Sequence, residues 1–304
     1  MRLAVLFNGQ GEQQPAHLLR LQQEASREMQ QALTQVLPEI WHAPEVAAHA
    51  LAANAVAQPL IFALQMHAWN QLQAHLPQPL CVAGYSLGEM AACCAAGVFS
   101  AEQGIALCAT RAHLMDSCLS VPAGLLAVLG LARPVVEGIA QQSDTVLAIR
   151  NSAEQFILGG LEEDLLRARA LAQAAGAQRV VRLAVHTPSH TPLLRAASRA
   201  FLATLQPYLA APLRLKVLSA IDGRAAGSTA AALQALAAQI CQPLDWSGVL
   251  DTIHELQPDL VLEIGPGNAL SRLWRERDQD IPIRAWDDFR SVDGLLRWVA
   301  LQQP

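Results

Sequence analysis

Three residues of this chain have the types and settings that could do covalent chemistry together: Ser86, His190 and Arg111. Ser86 stands in Gly84-Tyr85-Ser86-Leu87-Gly88, between the apolar run Leu80–Ala83 and an Ala-rich stretch that continues from Glu89 to Phe99. Alone, Gly-x-Ser-x-Gly is a modest signal and can be a plain Gly-Ser turn. Between a buried strand and a helix it gains weight. The glycines permit a strained turn that leaves the hydroxyl exposed at the carboxyl edge of a sheet, and the helix amides behind it favour developing negative charge. Ser86 is the expected nucleophile.

A serine nucleophile needs a base, and nine histidines compete for that role. His17, His42, His49, His67, His75, His113 and His254 lie in helical or loop stretches without catalytic context, and read as surface or internally satisfied residues. His190 follows Pro188-Ser189 and precedes Thr191-Pro192, an N-cap with proline at the first helical position, which fixes it on a rigid corner. His186 lies nearby, but Pro188 between them prevents the helical spacing that would pair both rings on a metal, so no metal site is expected. Of the acids between Ser86 and His190, Asp144, Asp164 and Glu137 fall on exposed helices or in the segment read below as an insertion. The expectation is a Ser86–His190 dyad whose ring is oriented by a backbone carbonyl.

Arg111 falls on the apolar stripe of a helix read over Gln103–Cys118, with Leu107, Cys108, Leu114 and Met115. A guanidinium facing a core is costly unless it meets an anion. Two readings stay open: an internal ion pair, with Asp116 as one partner, or a planar fork that binds a substrate carboxylate through two parallel hydrogen bonds.

The elements that must position these residues read as an α/β fold. Leu3–Phe7 is a buried strand ending at Asn8-Gly9-Gln10-Gly11. A mostly helical stretch follows, broken by Pro38, Pro44 and Pro59, with helical spacing from Leu60 to about Leu76. Strand Leu80–Ala83, the serine turn and its helix continue the spine of a parallel sheet. From there the order changes: strand Leu125–Leu129, helix Arg133–Gln142, strands Val146–Ile149 and Phe156–Leu158, helix Glu163–Ala175 and strand Arg179–Val185. This β-α-β-β-α-β order predicts a ferredoxin-like subdomain inserted at residues 122–186 into an α/β-hydrolase-like parallel-sheet core of residues 1–121 and 187–304. Pro192–Leu209 reads as helical, Val217–Ala220 as a strand before the Asp222-Gly223 turn, and Leu260–Ile264 as a strand closing on Gly265-Pro266-Gly267.

Composition narrows the classes. The 304 residues are 52% hydrophobic and 15% charged, which excludes a disordered tail or coiled coil. The net charge is −5 and Lys216 is the only lysine, unlike a nucleic-acid binder's basic face. Leu3–Phe7 is too short for a signal-peptide core, and no apolar stretch approaches a membrane span. The six cysteines (81, 93, 94, 108, 118 and 241) sit in apolar segments without a Cys-x-x-Cys pair, as buried free thiols do. A soluble cytoplasmic protein is expected, with no nucleic-acid or membrane partner.

Together these residues resemble the malonyl-CoA:acyl carrier protein transacylase family over essentially the whole chain. The family's Pro-Gly-Gln-Gly loop appears as Asn8-Gly9-Gln10-Gly11, and its Gly-His-Ser-x-Gly-Glu as Gly84-Tyr85-Ser86-Leu87-Gly88-Glu89. Arg111 falls on the family's carboxylate-binding arginine, with Leu114-Met115 after it. Asn151-Ser152 and Gly159-Gly160 match its subdomain, Ser189-His190 its histidine segment, and Glu263–Gly267 its closing strand and turn. Tyr85, Ser189–Leu194, Ile221-Asp222-Gly223, Asp287–Ser291 and Trp298 resemble one branch, the epsilon subunit of malonate decarboxylase.

The resemblance implies ping-pong acyl transfer with malonyl-CoA as substrate and no permanently bound cofactor. Ser86 and His190 would be catalytic, the backbone amides of Gln10 and Leu87 would form the oxyanion hole, and Arg111 would hold the malonyl carboxylate. The family orients its histidine with a main-chain carbonyl, here expected at Asp245. Asn8 in place of proline implies a looser loop around Gln10, and Glu12 and Gln13 stand near the mouth of the acyl pocket. The implied partner is an acyl carrier protein with a CoA-like or phosphopantetheine prosthetic group, with other malonate decarboxylase subunits in that branch. The rivals are a transacylase of fatty-acid or polyketide synthesis, a serine thioesterase or esterase, and a docking subunit without activity.

Overall fold

Leu3–Phe7 carries apolar side chains on both faces and all five residues are buried, so this strand can only lie inside a sheet covered on both sides. The computed structural model, which describes residues 1–43 and 46–302, places it there. Pro44, read above as a break, lies outside the described residues. In chain order the strands are β1 (Leu3–Phe7), β2 (Cys81–Gly84), β3 (Ala123–Leu129), β4 (Val146–Arg150), β5 (Gln155–Leu161), β6 (Arg179–Arg182), β7 (Val217–Leu218), β8 (Leu244–Asp245), β9 (Leu260–Ile264) and β10 (Ile283–Ala285).

They form two sheets. The first, ordered β10-β9-β1-β2-β7, is parallel throughout. Phe7 pairs with Gly84 on one side and Ile264 on the other, so the loops that begin at Asn8, Tyr85 and Gly265 leave the sheet at one level. That level is the carboxyl edge, where open α/β sheets bind ligands. The second sheet, ordered β6-β3-β5-β4-β8, is antiparallel among β6, β3, β5 and β4, while β4 and β8 run parallel.

Strand alternation sorts the core into three layers. Leu3, Val5 and Phe7 of β1 face a helical layer, and Ala4 and Leu6 face the space between the sheets. Across that space Leu125 and Ala127 of β3 point back, while Leu126 and Val128 face helices Arg133–Ser143 and Glu162–Ala174. In the helical layer, Asn54–Leu72 and Ala101–Asp116 pack so closely that a Cβ on Gly104 would lie 2.1 Å from Phe62. Among the described residues no helix is long and apolar enough to cross a membrane.

The structure corrects several boundaries. Pro59 does not break the chain but lies inside helix Asn54–Leu72, where burial of nearly every neighbouring side chain outweighs one lost hydrogen bond. The helix after Ser86 is Gly88–Ala95, because Gly97 takes φ 89° and turns the chain before Phe99. Strand β6 ends at Arg182, whose guanidinium bonds the Leu125, Leu183 and Val185 carbonyls and thereby diverts the chain from the ladder. β7 stops at Leu218, since Ser219 closes the following turn through Gly223 N and the Arg224 carbonyl-side ladder bond Ser219 N→Arg224 O. β8, too short to register as a pattern, comes from residues 187–304, read above as core, and pairs with β4 of the second sheet.

Candidate active site

The serine turn is built by exclusion of side-chain volume. A Cβ on Gly84 would meet Glu89 N at 2.0 Å, and one on Gly88 would meet the Phe7 carbonyl oxygen at 2.0 Å. Glycine at both places lets β2 turn sharply into helix Gly88–Ala95 against the end of β1. Ser86, at the apex, is held at φ 54°. Leu87 is the N-cap of that helix, so its amide belongs to the free end of the helix.

His190 also has a left-handed backbone, φ 65°, and is buried. Its Nε2 lies 2.8 Å from Ser86 Oγ, and its Nδ1 lies 2.6 Å from the Gln239 carbonyl oxygen. A carbonyl can only accept, so Nδ1 carries the proton and Nε2 is left to accept from the serine hydroxyl. Burial pushes the His190 pKa down to about 3; the Gln239 bond opposes the shift and the Arg111 charge adds to it. The ring is therefore a neutral base at neutral pH. Asp245, the expected orienting position, is elsewhere: its carboxylate takes a bidentate bond from Arg150, 2.7 and 2.8 Å, and caps Gly248 N. Gln239 does the orienting because the end of helix Thr229–Ala238, and not β8, runs beside the ring. Its side chain also donates to the Ser86 carbonyl at 3.1 Å.

Arg111 is 1% exposed. Nη1 donates to Gln58 Oε1 at 2.8 Å, while Nε and Nη2 have no partner. Among the described residues it forms no ion pair, so Asp116 is not its direct counter-ion; that carboxylate accepts from Asn54 and Thr187 instead. Burial lowers the Arg111 pKa to about 10, which leaves the guanidinium charged at neutral pH. Glu89 is buried behind the serine turn, accepts one bond from Ala220 N, and leaves Oε1 unpaired. Burial, against the pull of the Ala220 amide and Arg111, raises its pKa to about 8. A protonated Glu89 does not neutralise Arg111.

Gln10 lines the same cleft as Ser86 and His190, a space of ≈ 440 Å³ between the two sheets with Leu125, Ile149 and Ile157 on the far wall. Asn8 does not loosen its loop. The side chain donates to the Pro266 carbonyl, accepts from Gln65 Nε2 at 3.2 Å, and Gln65 also grips the Asn8 carbonyl at 2.7 Å. Glu12 faces the cleft and ties to Asn268 N at 2.8 Å and Arg272 at 2.7 Å. Gln13 turns away to Gly11 N and the Leu51 carbonyl. Tyr85 reaches across the cleft to Asn151 Oδ1 at 3.0 Å.

Sequence reasoning missed Gln239, Gln58 and Gln65. A signal existed for two of them: Gln58 and Gln65 are the polar residues of an otherwise apolar run, seven apart and so on one helix face. One holds the Arg111 guanidinium and the other the Gln10 loop.

A strained serine at a strand-to-helix turn, paired with a neutral histidine, has the geometry that acyl transfer requires. The family described as acyl transferase domain matches residues 6–273, and the chain belongs to it and is an acyltransferase. Within that family it is homologous to the malonyl CoA-acyl carrier protein transacylases. One from Mycobacterium tuberculosis is 34% identical over 247 residues, covering 80% of this chain and 81% of the relative. The crystal structure of such a transacylase from Xanthomonas oryzae pv. oryzae matches with a TM-score of 0.87 at 28% identity, over 98% of each chain. A type II polyketide synthase acyl-carrier protein in complex with its malonyl-transacylase matches with a TM-score of 0.85 at 27% identity, over 98% of this chain and 99% of that one.

Proposed function

We propose that the chain transfers a malonyl group from CoA to a carrier-protein thiol through a malonyl-Ser86 intermediate. The observation that carries this reading is Arg111: a buried, charged guanidinium with two unpartnered nitrogens, whose field reaches His190. Such a group waits for an anion, and a substrate with a distal carboxylate supplies one.

In the first half-reaction His190 Nε2 takes the Ser86 Oγ proton as the oxygen bonds to the thioester carbonyl carbon. The Gln10 and Leu87 amides hold the oxyanion. Collapse breaks the C–S bond, and the proton on His190 passes to the CoA sulfur. In the second half-reaction the carrier thiol gives its proton to His190 and attacks the ester, and the serine leaves with that proton. Ser86 and His190 work as a dyad, with the Gln239 carbonyl opposite Nδ1 in the place of a carboxylate.

The acceptor is an acyl carrier protein with a phosphopantetheine or CoA-like arm, a reading supported by the names of the homologues. Tyr85, Ile221-Asp222-Gly223 and Asp287–Ser291 support a place as the transacylase subunit of malonate decarboxylase; transfer to a fatty-acid or polyketide carrier is the alternative. The architecture we propose is a core of residues 1–121 and 187–304 with a ferredoxin-like unit at 122–186. The order β6-β3-β5-β4 and its antiparallel pairing support that unit.

Intact-protein mass spectrometry after brief exposure to malonyl-CoA or acetyl-CoA tests the reading. The expected result is a malonyl increment on the wild type, none on Ser86→Ala, and little from acetyl-CoA. Free CoA without an adduct would point to a thioesterase, and neither product to a docking subunit.

A further inference from the structure

Arg111 is fixed by a run of side-chain hydrogen bonds that does not end where the guanidinium is held. Nη1 donates to Gln58 Oε1 at 2.8 Å, and Gln58 Nε2 donates to Asn54 Oδ1 at 2.6 Å. Asn54 Nδ2 then donates to Asp116 Oδ1 at 2.9 Å. That same oxygen accepts the Thr187 hydroxyl at 3.0 Å. Thr187 is buried and opens the turn Thr187-Pro188-Ser189-His190, in which Ser189 N bonds the Thr187 carbonyl at 2.8 Å. Three segments far apart in sequence are thus joined: the first turns of helix Asn54–Leu72, the last turns of helix Ala101–Asp116, and the chain entering His190.

Every donor in the run points toward Asp116. The two amides are therefore oriented with their oxygens toward the guanidinium; a flip of Gln58 would lose its bonds to Arg111 and Asn54, and a flip of Asn54 its bonds to Gln58 and Asp116. Gln58 in turn takes one face of Arg111 and leaves Nε and Nη2 bare. Asp116 is exposed and is not among the residues that line the cleft; nor is the buried Arg111.

We propose that Asp116 is a positioning residue that couples carboxylate recognition to the base, by anchoring the Arg111 relay and the His190 segment on one oxygen atom. The inference rests on the reading of Arg111 as the malonyl-carboxylate site. It makes selectivity depend on a residue remote from the acyl group. When the anchor is lost, Asn54 Nδ2 keeps only its 3.4 Å bond to the Ala112 carbonyl, the amide run that orients Gln58 and the guanidinium loosens, and the His190 turn loses one tether.

The test compares Asp116→Ala, Asp116→Asn, Thr187→Val and Thr187→Ser with the full-length wild type. Rates of acyl-enzyme formation are measured with malonyl-CoA and acetyl-CoA, and thermal midpoints recorded. Asn keeps the accepting Oδ1 and Ser keeps the hydroxyl. Asp116→Ala is expected to lower malonyl transfer about tenfold, the size of one lost hydrogen-bond anchor, and to narrow the malonyl-over-acetyl ratio. Thr187→Val is expected to lower both rates by a few-fold through His190 alone, with the ratio kept. The Asn and Ser variants should recover most of each loss. Asp116→Ala with wild-type rates, or with both substrates slowed equally, overturns the proposal, as does an Asp116→Asn variant as impaired as the alanine. A melting temperature lowered equally in the Ala and Asn variants would mark a merely structural role and also overturn it. A wild type that takes up no malonyl group overturns the reading of the site, and this inference with it; a labelled wild type beside an unaltered Asp116→Ala overturns the inference alone.

Discussion

Ser86 and His190 meet at 2.8 Å, and both hold a left-handed backbone, φ 54° and 65°. Non-glycine residues rarely adopt that conformation, and each instance costs of order ~1 kcal/mol or more. The surroundings enforce it. Glycines 84 and 88 clear room for the serine turn, while Ile240 takes the His190 amide and Gln239 takes its ring. The hydroxyl and the base are thus placed by backbone, which costs no reorganisation when acyl transfer begins.

The depressed His190 sets the pH behaviour. Its folded pKa, about 3, is below the ordinary 6.5, so protonation favours the unfolded chain. The stabilising contribution is whole above pH 6.5 and is lost as the pH falls toward 3. The rate of Ser86 acylation should accordingly show no acid limb at 6.5 and begin to fall only well below it. Stopped-flow acylation across pH, with thermal unfolding alongside, checks both limbs; an inflection at an ordinary histidine value would contradict the buried, neutral ring. His190→Ala should slow acylation by about 10²–10⁴.

Arg111→Ala should raise KM for malonyl-CoA and remove discrimination against acetyl-CoA, a change of about 10²-fold in relative kcat/KM. Arg111→Lys keeps the charge but not the fork, and should recover less than a tenth of that selectivity. Competition between the two thioesters for the wild type and both variants reads this directly.

Asn8→Ala should destabilise the protein by about 1–3 kcal/mol, because the Pro266 carbonyl loses its donor and Gln65 one of its acceptors. Acylation should slow as well, since the same loop carries Gln10. Denaturant unfolding and adduct formation on one preparation separate the two effects.

Gly88→Ala should cost about 3 kcal/mol or prevent folding, as the new Cβ would strike the Phe7 main chain at 2.0 Å. Gly138→Ala is the contrast. Nothing lies within 4 Å of that position, and it is inside helix Arg133–Ser143. It should stabilise by about 0.5–1 kcal/mol. Thermal midpoints of the two variants should move in opposite directions.

The parts legible from sequence are those whose physics is local. β1 and β9 were readable to the residue because a run of apolar side chains, five in β1 and four around Glu263 in β9, needs cover on both faces. Ser86 was legible through its flanking glycines, and Arg111 as a charge on an apolar stripe. What escaped depends on distant partners. The carbonyl that orients His190 has no side-chain signature, and it was expected at Asp245 and found at Gln239. Asp116 was one candidate ion-pair partner for Arg111, but the connection between them passes through two amides of a neighbouring helix. Pro59 reads as a break in any isolated helix, and only burial by the rest of the molecule carries the helix past it.

Strand β8 gives the cleft a mechanical character. Its two residues are the parallel neighbour of β4, and Arg150 of β4 grips Asp245 of β8 through two hydrogen bonds. The segment that follows the His190-orienting helix end is therefore woven into the opposite wall. Swinging the walls apart would have to break both the two-residue ladder and the bidentate ion pair, a latch that ties the two sheets together beside the cleft.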